Sequence, residues 1–135
     1  MTVTATLPPV VSHLGLTCTD PFATERFYCQ HFGFTRERVI FLGEMQIVFL
    51  RSGNFCLELF PAKGKSSEPA PEKDGPSYAG FRHLAFRVDD LEATLRGFGR
   101  EAAITLGPLD LAEHGLSRRI VWLRDPDGRI IEIHE

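Results

Sequence analysis

The second half of this 135-residue chain repeats the first, and this internal repeat constrains the fold more than any other feature. His13 is followed by Leu and lies seven residues before Asp20, and His83 is followed by Leu and lies seven residues before Asp90. The two copies are offset by 70 residues at these histidines. A period of this length indicates two similar structural units, which place aligned residues in equivalent positions.

The later part of each copy repeats as well. The run IVFLR at 47–51 recurs as IVWLR at 120–124, 73 residues further along. Each run is followed by a turn and by a short apolar segment that contains one acidic residue, Glu58 in the first copy and Glu132 in the second. Two histidines and two carboxylates related by a pseudo-twofold axis can converge on one point, so the repeat predicts a metal site.

Turn and cap signals divide each copy into a βαβββ module. In the first module Asp20 is a suitable helix N-cap and Gly33 a suitable stop; in the second, Asp89-Asp90 and Gly99 have the same roles. The predicted strands lie near 11–18, 34–42, 45–51 and 54–60, and near 81–88, 103–107, 117–124 and 129–134. The sequence thus predicts an α+β fold in one domain, 1–135, with module one at about 11–60 and module two at about 81–134.

A segment rich in Pro, Gly, Ser, Lys and Glu joins the modules at about 61–80. This composition is typical of a linker. We expect it to be flexible, and an alternative role is to close over a substrate.

Side chains alternate between the two faces of a strand, which predicts where the four repeated residues point. In each strand the residues next to the repeated His or Glu are apolar and point to the opposite face, which the helices cover. His13, Glu58, His83 and Glu132 are therefore all expected on the face away from the helices. A carboxylate in an apolar strand is costly to bury unless it is paired or coordinated, and a divalent cation would stabilise both glutamates.

The overall composition excludes several other classes of function. The net charge of -3 gives no general attraction to nucleic acid or to an anionic membrane. The sequence has no apolar run of the ~18 residues that a membrane span needs, and the N-terminus has no basic region typical of a secretory signal. The three cysteines are odd in number and have no CxxC spacing, which fits a reducing cytoplasm.

The chain resembles the vicinal oxygen chelate superfamily, which includes glyoxalase I, the extradiol dioxygenases and the fosfomycin- and bleomycin-resistance proteins. The resemblance extends from His13 to His134 and rests on HLGLTCTDP, FYCQHFGF, FCLELF, RHLAFRVDDLEA and DPDGRIIEI. It implies paired βαβββ modules that form a curved mixed sheet, or cup, with the helices outside and a divalent metal within. It implies a homodimer, and it implies these metal ligands: His13, Glu58, His83 and Glu132.

Within that superfamily the His-Glu-His-Glu pattern is most similar to bacterial glyoxalase I. Metal-dependent dioxygenases and thiol transferases of this superfamily have a His-His-Glu ligand set, without a carboxylate at the position of Glu58. The resemblance therefore disfavours these two activities. Bacterial glyoxalase I usually has Arg four residues after the first His and Asn four residues after the first Glu. Here these positions are Thr17 and Ala62, which argues against a glutathione-bound substrate.

The resemblance and the ligand types together imply one bound divalent metal, Zn, Ni, Co, Mn or Fe. A small substrate would chelate through two adjacent oxygens, and an isomerase or lyase reaction would move a proton by way of an enediolate. Glu132 is the expected base, with Glu58 second. The alternative is a non-catalytic protein that binds a drug or metabolite in the same cup. The modules that share a site can belong to one chain or to two partners.

Overall fold

The computed structural model describes residues 2, 4 and 6–135 and contains two βαβββ modules, which confirms the predicted α+β class. The prediction that the N-terminus has no basic region typical of a secretory signal falls partly on residues 1, 3 and 5, which lie outside the described residues. The first module contains β1 (Leu14–Cys18), α1 (Pro21–Phe32), β2 (Thr35–Leu42), β3 (Met45–Ser52) and β4 (Phe55–Pro61). The second contains β5 (Leu84–Arg87), α2 (Leu91–Phe98), β6 (Ile104–Leu109), β7 (Ile120–Arg124) and β8 (Ile130–His134).

The two helices begin at the predicted caps. The Asp20 carboxylate accepts a hydrogen bond from the backbone N–H of Phe22 at 3.0 Å, and Asp90 accepts one from Ala93 at 3.0 Å. Helix α1 ends at Gly33, whose φ of 69° is a left-handed conformation that glycine adopts without strain. No helix in the described part of the chain is long and apolar enough to cross a membrane.

The strands form two separate four-stranded sheets with the same topology. The strand orders are β1-β4-β3-β2 and β5-β8-β7-β6, with the first and last strands of each module parallel. Strands β1 and β5 are therefore edge strands, and no other strand among residues 6–135 pairs with their outer edges. Apolar residues that precede these two strands in the chain are exposed: Val10 and Val11 before β1 have relative accessibilities of 87% and 85%, and Phe81 before β5 has 92%.

One hydrophobic core is shared by both modules. Leu57 and Leu59 of the first sheet, and Ile131 and Ile133 of the second, are fully buried in it, as the strand parity predicts. Aromatic rings join the modules within this core, since Phe32 at the end of α1 stacks on Phe86 of β5 with centroids 3.9 Å apart. Because the helices and this core cover one face of each sheet, the opposite faces are available for a site.

A buried polar network also joins the modules. The Asp125 side chain is fully buried and accepts hydrogen bonds from the Tyr28 hydroxyl at 2.9 Å and from the Arg129 guanidinium at 2.7 Å. Its other oxygen accepts from the backbone N–H groups of Asp127 and Arg129. Arg129 also donates to the backbone carbonyl of Thr17 in β1. The turn before β8 is therefore tied to both α1 and β1.

Burial and the charge of Asp125 together favour the protonated forms of Tyr28 and Arg129 in this network. Burial raises the pKa of Tyr28 well above the ordinary value, and the Asp125 charge raises it further, so the phenol remains a hydrogen-bond donor. Burial lowers the pKa of Arg129, but the charge and hydrogen bonds of Asp125 outweigh this effect and raise the pKa overall. Arg129 therefore stays charged against Asp125.

We expect Asp125→Asn to lower the free energy of unfolding by about 3 kcal/mol, because the buried Arg129 guanidinium loses its counter-ion. Urea unfolding followed by circular dichroism would measure the change. The matched control is Asp127→Asn in the same turn, which should lower stability by about 1 kcal/mol or less. Asp127 lies 3.5 Å from Arg129, which keeps Asp125 as its closer partner, and the Asn amide oxygen can still accept from the Thr19 N–H. Equal losses in the two variants would contradict this role for Asp125.

Candidate metal centre

The first module places one histidine against one glutamate on its free sheet face. His13 directly precedes β1, and Glu58 lies in β4, the strand that pairs with β1. The His13 Nδ1 atom is 2.8 Å from a Glu58 carboxylate oxygen, and the Ser12 hydroxyl lies 3.0 Å from the same nitrogen. The Glu58 side chain is mostly buried, which agrees with a carboxylate that needs a partner.

The second module contains the equivalent pair, and its histidine has one further contact. The His83 Nε2 atom is 3.2 Å from an oxygen of Glu132, and His83 Nδ1 is 2.6 Å from the backbone carbonyl of Asp74. A carbonyl only accepts, so Nδ1 carries the proton and the lone pair of a neutral imidazole is on Nε2, facing the carboxylate. Two acceptors at this distance repel unless a proton or a metal ion lies between them. A backbone carbonyl that fixes the tautomer is also the usual support of a metal-binding histidine.

The segment between the modules supplies that carbonyl, and its second part is held rather than free. The carbonyl of Pro71 accepts from Arg124 at 2.6 Å, and that of Lys73 accepts from Thr105 at 2.5 Å. At Gly75 a Cβ would lie 2.6 Å from the backbone oxygen of Arg82, so glycine is required there. The expected flexibility therefore does not extend to residues 71–76, of which Asp74 lines the cavity of the second module.

The two pairs lie on different sheets and are not brought together within one chain. Among residues 6–135 no group of three or more His, Cys, Asp or Glu side chains is close enough to hold a metal ion. Each module therefore provides a candidate half-site, which consists of one histidine and one glutamate. The convergence of all four residues stays a prediction.

The half-sites open into two cavities with different walls. The cavity of the first module, about 400 Å³, is mainly polar and is lined by Ser12, His13, Glu37, Arg38, Phe49, Arg51, Cys56 and Glu58. The cavity of the second module, about 560 Å³, combines its two ligand groups with an apolar wall and is lined by Asp74, His83, Leu111, Gly115, Leu116, Ser117, Ile120, Trp122, Glu132 and His134.

Three residues at these cavities carry polar groups that sequence reasoning did not assign to the site. His134 is next to the C-terminus and lines the second cavity, with Nδ1 3.0 Å from the Ser117 hydroxyl. Strand parity does place it on the same face as Glu132. Trp122 is buried, and its indole N–H has no hydrogen-bond partner among the described residues. Arg38 lies in the first cavity, and only the strand register reveals its position.

Comparison with known proteins agrees with this architecture. The chain is 26% identical to the Escherichia coli protein YaeR over 136 residues, which covers 93% of this chain and 95% of YaeR. A mutant of maize glyoxalase I is 25% identical with a TM-score of 0.69, covering 91% of this chain but 44% of the maize chain. The fosfomycin-resistance protein FosX of Listeria monocytogenes, solved as a mutant with Mn(II) and 1S,2S-dihydroxypropylphosphonic acid, has a TM-score of 0.68 over 95% of this chain and 90% of its own. At 13% identity, this likeness shows the shared fold.

The sequence also matches a family model over residues 10–133, a range that begins just before the first half-site and ends just beyond Glu132. With the two βαβββ modules and both His–Glu pairs inside that range, the chain belongs to the Glyoxalase/Bleomycin resistance protein/Dioxygenase superfamily.

Proposed function

We propose that this protein is a metal-dependent enzyme of the glyoxalase type, an isomerase or lyase that acts on a small substrate with two adjacent oxygens. The observation that carries the proposal is the matched pair of half-sites. In each, an imidazole nitrogen faces a carboxylate oxygen, at 2.8 Å in the first module and 3.2 Å in the second. This arrangement is stable only when a cation or proton lies between the two groups.

The donor set fits a divalent metal. Imidazole nitrogen and carboxylate oxygen together suit Zn²⁺, Ni²⁺, Co²⁺, Mn²⁺ or Fe²⁺, and His13, Glu58, His83 and Glu132 would hold the ion. When bound, such an ion acts as a Lewis acid toward the substrate oxygens. The Mn(II) in the FosX complex supports a divalent ion in this fold.

The proposed role of the chain in the reaction is to move one proton. Glu132, through a carboxylate oxygen that is free of the metal or released from it, would take the proton from the carbon next to the chelated oxygens and return it to the neighbouring carbon. Glu58 is the second candidate for this role. Glu132 stands in β8 beside Trp122, against an apolar wall. Such a wall limits water around the carboxylate, which strengthens its electrostatic interactions with the substrate.

The proposed enzyme is a homodimer whose sites form between chains. Each chain has unpaired edges at β1 and β5, with exposed Val10, Val11 and Phe81 beside them. Pairing the first module of one chain with the second module of its partner would cover these edges and bring two half-sites together. The proposed location is the cytoplasm, since all three cysteines are free.

A second candidate is a protein that binds a drug or metabolite without catalysis. The apolar wall of the second cavity, with Leu111, Leu116, Ile120 and Trp122, favours this candidate because it suits the non-polar part of a ligand. The two candidates differ in turnover: the binding protein returns its ligand unchanged.

Trp122 is the only tryptophan of the chain and lines the cavity beside His83, with ring centroids 6.5 Å apart. We expect Co²⁺ to quench its fluorescence, saturating near one ion per chain, because open-shell ions quench nearby fluorophores. Zn²⁺, which has a closed shell, is the control ion and should compete without strong quenching. His83→Ala should abolish saturable quenching, and unchanged quenching in that variant would place the ion elsewhere.

The shared site is tested by mixing two disabled chains. One carries His13→Ala and Glu58→Ala, and the other carries His83→Ala and Glu132→Ala. If sites form between chains, a heterodimer isolated with two different tags should bind about one ion per dimer, half the wild-type content, while each variant alone binds none. Light scattering should give about 30 kDa, twice the 15.1 kDa chain. A heterodimer without metal would contradict a site shared in this way.

Glu132→Gln separates proton transfer from binding. The substitution keeps the volume and a coordinating oxygen but removes basicity, so turnover should fall by about 10²-fold or more while metal is retained. Turnover would be screened with hemithioacetals and α-oxo thioesters by absorbance. Normal turnover of Glu132→Gln with metal in place would assign the role of base to Glu58, which Glu58→Gln tests in the same way. If both variants were active, proton transfer by a glutamate would be excluded.

A further inference from the structure

The two sheets carry matching rows of side chains across their free faces, and the rows differ at the last position. In the first sheet the register joins Glu58 to Phe49 in the next strand and Phe49 to Arg38 in the strand beyond. In the second sheet it joins Glu132 to Trp122, and Trp122 to Leu106. A carboxylate and an aromatic ring are thus common to both rows, but one row ends in a cation and the other in an aliphatic residue.

Arg38 differs from the arginines around it in having no carboxylate partner. Arg36 is paired with Glu25 at 2.5 Å, and Arg51 is paired with Glu37 at 3.1 Å. Among residues 6–135 no carboxylate lies within salt-bridge distance of Arg38. Its positive charge is therefore available to a ligand in the first cavity, which it lines together with His13 and Glu58.

The guanidinium of Arg38 is also held in place. It stacks over the Phe49 ring, 4.6 Å from the ring centroid. Stacking uses the face of the guanidinium and leaves the N–H groups at its edge directed outward in the fork that matches carboxylate or phosphate oxygens. A charged group that is positioned by an aromatic ring but not neutralised is suited to bind an anion.

We propose that Arg38 binds the acid group of an anionic substrate whose adjacent oxygens are held at the metal centre. This inference rests on the proposed function and adds a substrate class to it: a small carboxylate, phosphate or phosphonate. Strands lie about 4.8 Å apart, so the backbone of Arg38 is about 10 Å from that of Glu58, two strands away. The long Arg38 side chain spans part of that distance, which leaves room for an acid group a few bonds from the chelated oxygens.

The second module explains why the acid group belongs on one side only. Its row ends at Leu106, which packs in an apolar cluster with Ile120, Trp122, Ile130 and Leu111. This wall provides no cation at the position equivalent to Arg38. A substrate with an acid at one end and a non-polar group at the other therefore matches both walls.

The test uses two chelators that differ by one acid group, acetohydroxamate and phosphonoacetohydroxamate. Isothermal titration calorimetry would measure their binding to Mn²⁺-loaded protein. We expect the wild type to bind the phosphonate at least ~10-fold more tightly than the neutral compound, since charge-assisted hydrogen bonds are the stronger ones. Arg38→Gln should remove most of this preference while leaving the Mn²⁺ and acetohydroxamate affinities unchanged.

Arg100→Gln is the matched control, because it removes one exposed arginine from the short turn after α2. It should preserve the full preference for the phosphonate. Equal binding of the two chelators by the wild type, or an unchanged preference in Arg38→Gln, would overturn the role of Arg38 and leave the proposed metal enzyme standing. Failure of the wild type to bind Mn²⁺ and acetohydroxamate would overturn the proposed function, and the inference with it.

Discussion

The packing of both modules into one core is the constraint on which the rest of the structure depends. Phe32 and Phe86 stack across the boundary, and His31 of α1 stacks on Phe98 of α2 with centroids 4.1 Å apart. Because one face of each sheet is committed to this core, the other face of each sheet remains free. The same packing keeps β1 and β5 at the edges of separate sheets. The half-sites of one chain are therefore apart among the described residues. In the proposed homodimer, a partner chain would supply the missing half.

The buried network at Asp125 makes this packing specific. Apolar side chains tolerate small rotations of one module against the other, whereas a buried ion pair with fixed hydrogen bonds does not. Asp125 accepts from Tyr28 of the first module and from Arg129 of the second. Arg129 in turn donates to the backbone carbonyl of Thr17 in the first module. Arg129 stands just before β8, the strand that carries Glu132, so the network also sets the position of that glutamate relative to β1.

Much of the fold follows from local signals in the sequence. The caps at Asp20 and Asp90 and the stop at Gly33 are set by backbone groups a few residues away, and the burial of alternate strand residues follows from geometry. Other features depend on distant contacts. The turn sequence at 125–128 predicts a turn but not the burial of Asp125, which needs Tyr28 from 97 positions away. The composition of 61–80 predicts a linker but not the hydrogen bond from His83 to Asp74.

The same distinction between local signals and distant contacts applies to the candidate site. Repeat spacing and parity place each histidine beside one glutamate on a free sheet face, since both depend only on position within a strand. Their role as metal ligands stays a prediction. Spacing and parity do not identify the modules that meet, because the same hydrophobic pattern fits pairing within a chain or between chains. The position of Arg38 in line with Glu58 does not follow from the sequence, because it depends on the register of three strands, with an irregularity between Arg36 and Arg38.

The two modules share the His–Glu pair but differ in the residues farther along the sheet, and this difference has a physical basis. In the proposed metal centre, residues that meet at one ion need a similar reach from both sides. This agrees with the same residue types at His13 and His83 and at Glu58 and Glu132. A side chain two strands away from the ligand is free of that requirement. Arg38 and Leu106 occupy such positions, and there the copies diverge in charge. If the half-sites combine as proposed, the symmetric part of the cup fixes the metal, and the asymmetric part distinguishes one end of a substrate from the other.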